Sequence, residues 1–125
     1  MTVSNGVTWF EIGTERPDEA QRFYGDVFGW RFTEEGGGGA TYRTTEAADG
    51  GIGGAIRGTD GAASTYAIFY VQVTDVAETC RRVEAAGGAV VVPAKTNPNG
   101  LTSAHLRDPA GNRFGVFTPP PAAGA

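Results

Sequence analysis

The chain carries one histidine, His105, and one cysteine, Cys80, against 14 acidic residues. In the stretch VTWFEIGTE, strand alternation puts Trp9 and Glu11 on one face and Phe10 and Ile12 on the other. An inward carboxylate needs a partner or water, and Arg43 and Arg107 are the candidate partners. Left dry and unpaired, Glu11 would hold its proton toward neutral pH and serve as a general acid or base. A second stretch, LTSAHLRDPAGNRFGVF, carries the histidine. A five-residue turn over Asp108–Asn112 sets Arg107 opposite Arg113, hence His105 opposite Gly115 and Ser103 near Phe117. Within STYAIFYVQV, Ile68, Tyr70 and Gln72 share one face, with Phe69, Val71 and Val73 behind them. Glu11 and His105 are therefore the candidate proton-transfer pair. His105 also reads as a satisfied structural histidine, and Gln72 as a cross-strand or backbone partner.

These residues have to be positioned by short elements. The first strand, about Val7 to Gly13, leads into TERPDEAQRFYGDVFGW, where Pro17 suits a first helical position and Asp18 and Glu19 favour the positive end of the helix dipole. Ala20, Phe23, Tyr24 and Val27 recur at helical spacing, and Gly29 ends the helix. WRF, ATYRT and GGIGGAI follow as strands, with Gly36–Gly39 a flexible connection. That run precedes no helix and no Lys-Ser/Thr pair, so it is not a phosphate loop.

The same order then recurs. STYAIFYVQV is a strand and TDVAETCRRVEAAGG a helix, with Asp75 and Glu78 spaced as a capping box. Val76, Cys80 and Val83 form its apolar stripe, which makes Cys80 a small core residue and not a nucleophile. AVVVPA and the LTSAHLR/RFGVF hairpin complete the second set. The chain is expected to be α+β: two βαβββ modules, about 5–58 and 64–118, forming one domain by internal duplication. Residues 119–125 read as a loose tail, and the modules are expected to build a curved mixed sheet around a cleft.

Composition excludes several classes. At 125 residues and net charge −4, with ten scattered basic residues, the chain has neither a nucleic-acid stripe nor a polybasic membrane patch. No apolar run approaches the roughly 20 residues needed to cross a bilayer. A lone cysteine and an N-terminus without signal-peptide character fit a cytoplasmic protein.

The segments WFEIGTERPDEAQRFYGDVFGW, VTDVAETCRRVEAAGGAVVVP and LRDPAGNRFGVF resemble the vicinal oxygen chelate superfamily of glyoxalases, bleomycin-resistance proteins and extradiol dioxygenases. FYGDVFGW in one half with DPAGNRFG in the other carries the resemblance, which extends over nearly the whole chain. It implies that each half offers one metal ligand from its first strand and one from its last. Those positions fall on Trp9, about Gly53, Ile68 and Gly115, none of which has a ligating side chain. The resemblance thus implies the fold without the metal, and neither a metal nor another cofactor is expected.

The leading reading is metal-independent binding of a small, mainly apolar or aromatic molecule, similar to the drug-sequestering members. Trp9, Ile68, Tyr70 and Phe117 would form the wall. Glu11, Gln72, Ser103 and His105 would be its polar points, and Gly53 and Gly115 would leave room. One alternative is a metal-free isomerase, cyclase or epimerase using Glu11 and His105. Another is a metalloenzyme with those two as displaced ligands, and a third is an interaction module with a filled cleft. Association into a homodimer is expected, because it would cover cleft mouths and sheet edges.

Overall fold

The computed structural model describes residues 5–35, 41–46, 49–59 and 65–121; the Gly36–Gly39 connection and the end of the tail lie outside them. The elements run β1 (Gly6–Thr14), α1 (Pro17–Phe28), β2 (Phe32–Glu34), β3 (Tyr42–Thr45), β4 (Gly53–Gly58), β5 (Tyr66–Gln72), α2 (Val76–Ala85), β6 (Ala89–Thr96), β7 (Thr102–Arg107) and β8 (Arg113–Thr118). This is βαβββ twice over, an α+β fold as the sequence implied. The chain divides into two compact units. The first is Trp9–Ile68; the second is Phe69–Ala125 with the leading residues through Thr8.

In the first unit the strands run β2-β3-β4-β1. β1 and β4 are parallel, with Trp9 opposite Gly53, Phe10 opposite Gly54 and Glu11 opposite Ala55. β2, β3 and β4 are antiparallel. Pro17 occupies the first turn of α1, and Gly29 closes it in a left-handed conformation (φ 75°), which glycine adopts without a steric penalty. Ala55 and Ile56 are fully buried. On the helix side, Trp30 stacks on Tyr24 at 5.3 Å and lies 5.5 Å from Phe10 and 5.4 Å from Phe28. Phe10 thus packs on the helix side of its strand, as alternation requires. The helix itself buries none of its residues, and Phe23 and Val27 stay exposed.

In the second unit the order is β5-β8-β7-β6. The predicted turn is present: Arg107 faces Arg113, His105 faces Gly115 and Ser103 faces Phe117. Asp108 closes it by accepting bonds from the backbone of Ala110 and Asn112 and from the Asn112 side chain, while Gly111 takes φ +96°. The Asn112 side chain, above all, holds the Asp108 carboxyl below its ordinary pKa. Val76 and Cys80 of α2 join Val73, Ala104, Leu106 and Val116 in a core against which Val83 packs. Burial pushes the Cys80 thiol up, which suits an inert core residue. Asp75 caps α2 through the Glu78 N–H at 2.9 Å. The reciprocal half of the box is replaced, because the Glu78 carboxylate turns to Arg81 and Arg82.

Candidate functional site

The first unit assembles a polar cluster on the face of β1 that carries Trp9 and Glu11. Glu11 is 1% exposed. Its Oε2 accepts a bond from the Tyr66 hydroxyl at 2.6 Å and another from Arg57 Nε at 3.2 Å. Both are charge-assisted, the stronger class of hydrogen bond. The Tyr66 ring can reach the carboxylate because Gly13, two residues along the same face, has no Cβ; one added there would clash with the ring. Arg57 also lies over the Tyr42 ring, with Cζ 5.0 Å from the centroid, a cation–π arrangement. Trp9 Nε1 donates to the Tyr42 hydroxyl at 3.2 Å. Burial first, and the Glu11 charge second, push the Tyr42 hydroxyl up to about 12.

Glu11 is therefore inward, as alternation predicted, but its partner is neither Arg43 nor Arg107. Arg43 is spent on the helix side, bonding Gln21 at 2.9 Å and Asp18 at 2.6 Å and pairing with Glu34. Arg107 is exposed at the turn. Glu11 is buried and paired, not the dry, unpaired carboxylate that the sequence reading posed as a condition. Arg57, Tyr66 and Tyr42 were missed from sequence. The signal for Arg57 lay in the parallel pairing of β1 and β4, which places it opposite Gly13, one β-repeat beyond Glu11.

The second unit holds the histidine. Tyr70 and His105 are both buried, with Tyr70 Oη 2.6 Å from His105 Nε2 and the rings edge-on at 5.6 Å. Phe117 lies edge-on to Tyr70 at 6.1 Å. Tyr70, Gly115 and His105 stand in one row across β5, β8 and β7, and Gln72, Phe117 and Ser103 in the next. Gln72 accepts a bond from Thr8 Oγ1 at 3.2 Å, in keeping with its cross-strand reading. Ile68, at the end of the first unit, is 8% exposed.

The two glycines do not leave room. A Cβ on Gly115 would clash with the Tyr70 ring, and one on Gly53 would meet Trp9 Cζ3 at 3.0 Å and the Thr45 carbonyl at 3.2 Å. An indole and a phenol thus lie over bare backbone at these two glycines. Trp9, Gly53, Ile68 and Gly115 supply no donor. Among the described residues no group of three or more His, Cys, Asp and Glu could hold a metal ion. The donor set does not fit the metal that the fold implies. Two surface depressions, of about 540 and 310 Å³, flank α1, and neither is lined by a residue of the predicted wall.

Residues 6–116 match the model of the Glyoxalase/Bleomycin resistance protein/Dioxygenase superfamily. The chain belongs to this superfamily. Two curated relatives, each named "Putative glyoxylase CFP32", from Mycobacterium bovis and Mycobacterium tuberculosis, are 32% identical over 114 residues, 90% of this chain. The chain spans 44% of their length. Among solved structures, methylmalonyl-CoA epimerase from Mycobacterium tuberculosis superposes with TM-score 0.67 at 18% identity, covering 97% of this chain and 93% of the other. The Streptomyces coelicolor enzyme in complex with 2-nitronate-propionyl-CoA gives 0.67 at 14%, with 98% of both chains covered. A hypothetical protein from Bacillus halodurans C-125 gives 0.70 at 12%, covering 98% and 100%. At these identities the superpositions establish the superfamily fold and nothing finer. No helix among the described residues is long and apolar enough to cross a membrane.

Proposed function

We propose that this superfamily member binds a small, flat, mainly aromatic molecule without a metal, on the face of the first unit that carries Trp9, Tyr42 and Arg57. The supporting observation is the clamp on Glu11. A carboxylate 1% exposed and held by Tyr66 and Arg57 is costly to desolvate, yet it holds the guanidinium over the Tyr42 ring. Arg57, with its side chain 42% exposed, then offers a planar cation beside two aromatic rings. That combination suits an aromatic guest bearing a carbonyl or acidic group. The free, buried Cys80 fits a reducing compartment, and the reading takes the protein as a cytoplasmic homodimer.

A second reading, metal-free acid–base chemistry on a carbonyl compound, rests on the 2.6 Å contact between Tyr70 and His105. The names of the similar proteins, an epimerase and a glyoxylase, agree with it.

Thermal-shift screening against aromatic acids and ketones tests the first reading. A guest at one hundred times its Kd should add about 2.7 kcal/mol of stability. Trp9→Leu and Arg57→Gln should each abolish the shift of a hit. A screen without hits, or hits that both variants retain, removes this reading. Conversion of a bound compound that stops in His105→Ala would favour the second.

A further inference from the structure

We infer that the groove between α1 and the β2–β3 edge is a second small-molecule site, on the helix side of the sheet, and that it takes an aromatic monocarboxylate. Tyr42 and Arg43 are successive residues of β3 and so face opposite sides of the sheet. The groove is therefore separate from the face that carries Trp9, Tyr42 and Arg57, and the inference does not rest on the reading above.

The duplication supplies an internal control. In the second unit, Val76, Cys80 and Val83 of α2 close the layer between helix and sheet as an apolar core with Ala104, Leu106 and Val116. Counted from the first residue of each helix, the matching positions of α1 are Pro17, Gln21 and Tyr24. An amide thus stands where the second unit has a buried thiol, and α1 buries none of its residues. The sheet of the first unit contributes Arg43 to the same layer, with its side chain only 16% exposed. The guanidinium donates to Gln21 Oε1 at 2.9 Å and to Asp18 Oδ1 at 2.6 Å. Its buried Nε makes no hydrogen bond, with Glu34 Oε1 3.5 Å away. Drawing a cation this far from water is unfavourable, and the second unit shows that the fold does not require it. The layer stays open as a depression of about 540 Å³, within the range of small-molecule sites. Gly25, inside α1, keeps side-chain bulk out of it, since a Cβ there would come within 3.3 Å of the Trp30 carbonyl.

The lining selects the guest. Trp30 and Phe32 supply rings, and Trp30 is backed by Tyr24 at 5.3 Å. Arg22 and Arg31 are exposed at the groove, and neither forms an ion pair with another described residue. Asp18 is already paired with Arg43, which leaves Asp26 as the other carboxylate of the lining. Three arginines against two aspartates give one net positive charge, which suits a monoanion better than a phosphate dianion. A guanidinium fork matches a carboxylate bidentately, and guanidinium planes beside aromatic rings favour a flat guest.

The test is an NMR titration of the whole chain with 2-naphthoate. The amides of Gly25, Arg31 and Phe32 and the Trp30 indole N–H should shift together, with a Kd below about 1 mM. 2-Naphthylmethanol keeps the rings without the charge, and cyclohexanecarboxylate keeps the charge without the rings; each should bind at least tenfold more weakly. Arg22→Gln with Arg31→Gln should raise the Kd for 2-naphthoate at least tenfold while the urea midpoint stays unchanged. Arg57→Gln should leave it within twofold. Shifts confined to Trp9, Tyr42 and Arg57, no shifts at all up to about 10 mM, or a double variant that binds like wild type would overturn the site. Equal binding of the alcohol, or tighter binding of 2-naphthyl phosphate, would overturn the assignment of a monocarboxylate.

Discussion

Removing the hydroxyl of Tyr66 isolates the clamp on Glu11. In Tyr66→Phe the ring can stay over Gly13 while the 2.6 Å bond to Glu11 Oε2 is lost. Hydrogen bonds to charged groups contribute about 1.5–3 kcal/mol, and a carboxylate 1% exposed has little water to replace the donor. With about 2.1 cal/mol/K of unfolding entropy per residue, a chain of 125 residues should lose roughly 6–11 °C in Tm. Arg57→Met removes the other donor. Breaking a fully buried pair costs about 3–5 kcal/mol, but the Arg57 side chain is 42% exposed, so about 2–3 kcal/mol is expected. Urea unfolding of the two single variants, and of each combined with Glu11→Gln, gives the coupling energies. Both couplings should exceed about 1 kcal/mol, because the three residues form one network. Single costs below about 0.5 kcal/mol, or couplings near zero, would refute the argument that Tyr66 and Arg57 hold Glu11.

Two further perturbations probe the rings over the glycines and the desolvated phenol. Gly115→Ala must push the Tyr70 ring away from β8 and lengthen its contact with His105. The cost should be about 1–3 kcal/mol, larger than for Gly53→Ala, whose Cβ meets Trp9 only at 3.0 Å; chemical denaturation of both variants checks the order. Tyr42, raised from 10.0 to about 12, keeps its proton in the folded chain after an unfolded chain has lost it. Its contribution is therefore fully present below pH 10 and is lost as pH rises through about 12. Alkaline unfolding should be less steep in Tyr42→Phe over that window, and an unchanged slope counts against the assignment.

Much of this was legible from local pattern. Alternation put Glu11 inward because a strand has only two faces. The Asp108–Asn112 turn set the whole β7/β8 register, because its length allows one pairing and Asp108 and Gly111 fit its geometry. The partner of Glu11 was not legible, because Arg57 reaches it through a parallel pairing between strands 46 residues apart in sequence. Tyr66 was hidden for another reason, since its reach depends on the absence of a Cβ at Gly13. The glycines misled as well. A missing side chain reads as space, but in strands flanked by aromatics that space is where a neighbouring ring lies down.

This pairing recurs in both units. Trp9 stands opposite Gly53 and lies over it, and Tyr70 stands opposite Gly115 and lies over it. In each unit the ring and the glycine beneath it depend on each other, since packing leaves no space for a longer side chain beneath an indole or a phenol. Gly115→Glu alone would expel Tyr70, and Gly53→Glu alone would displace Trp9. Either position accepts a larger residue only when the ring above it is changed as well.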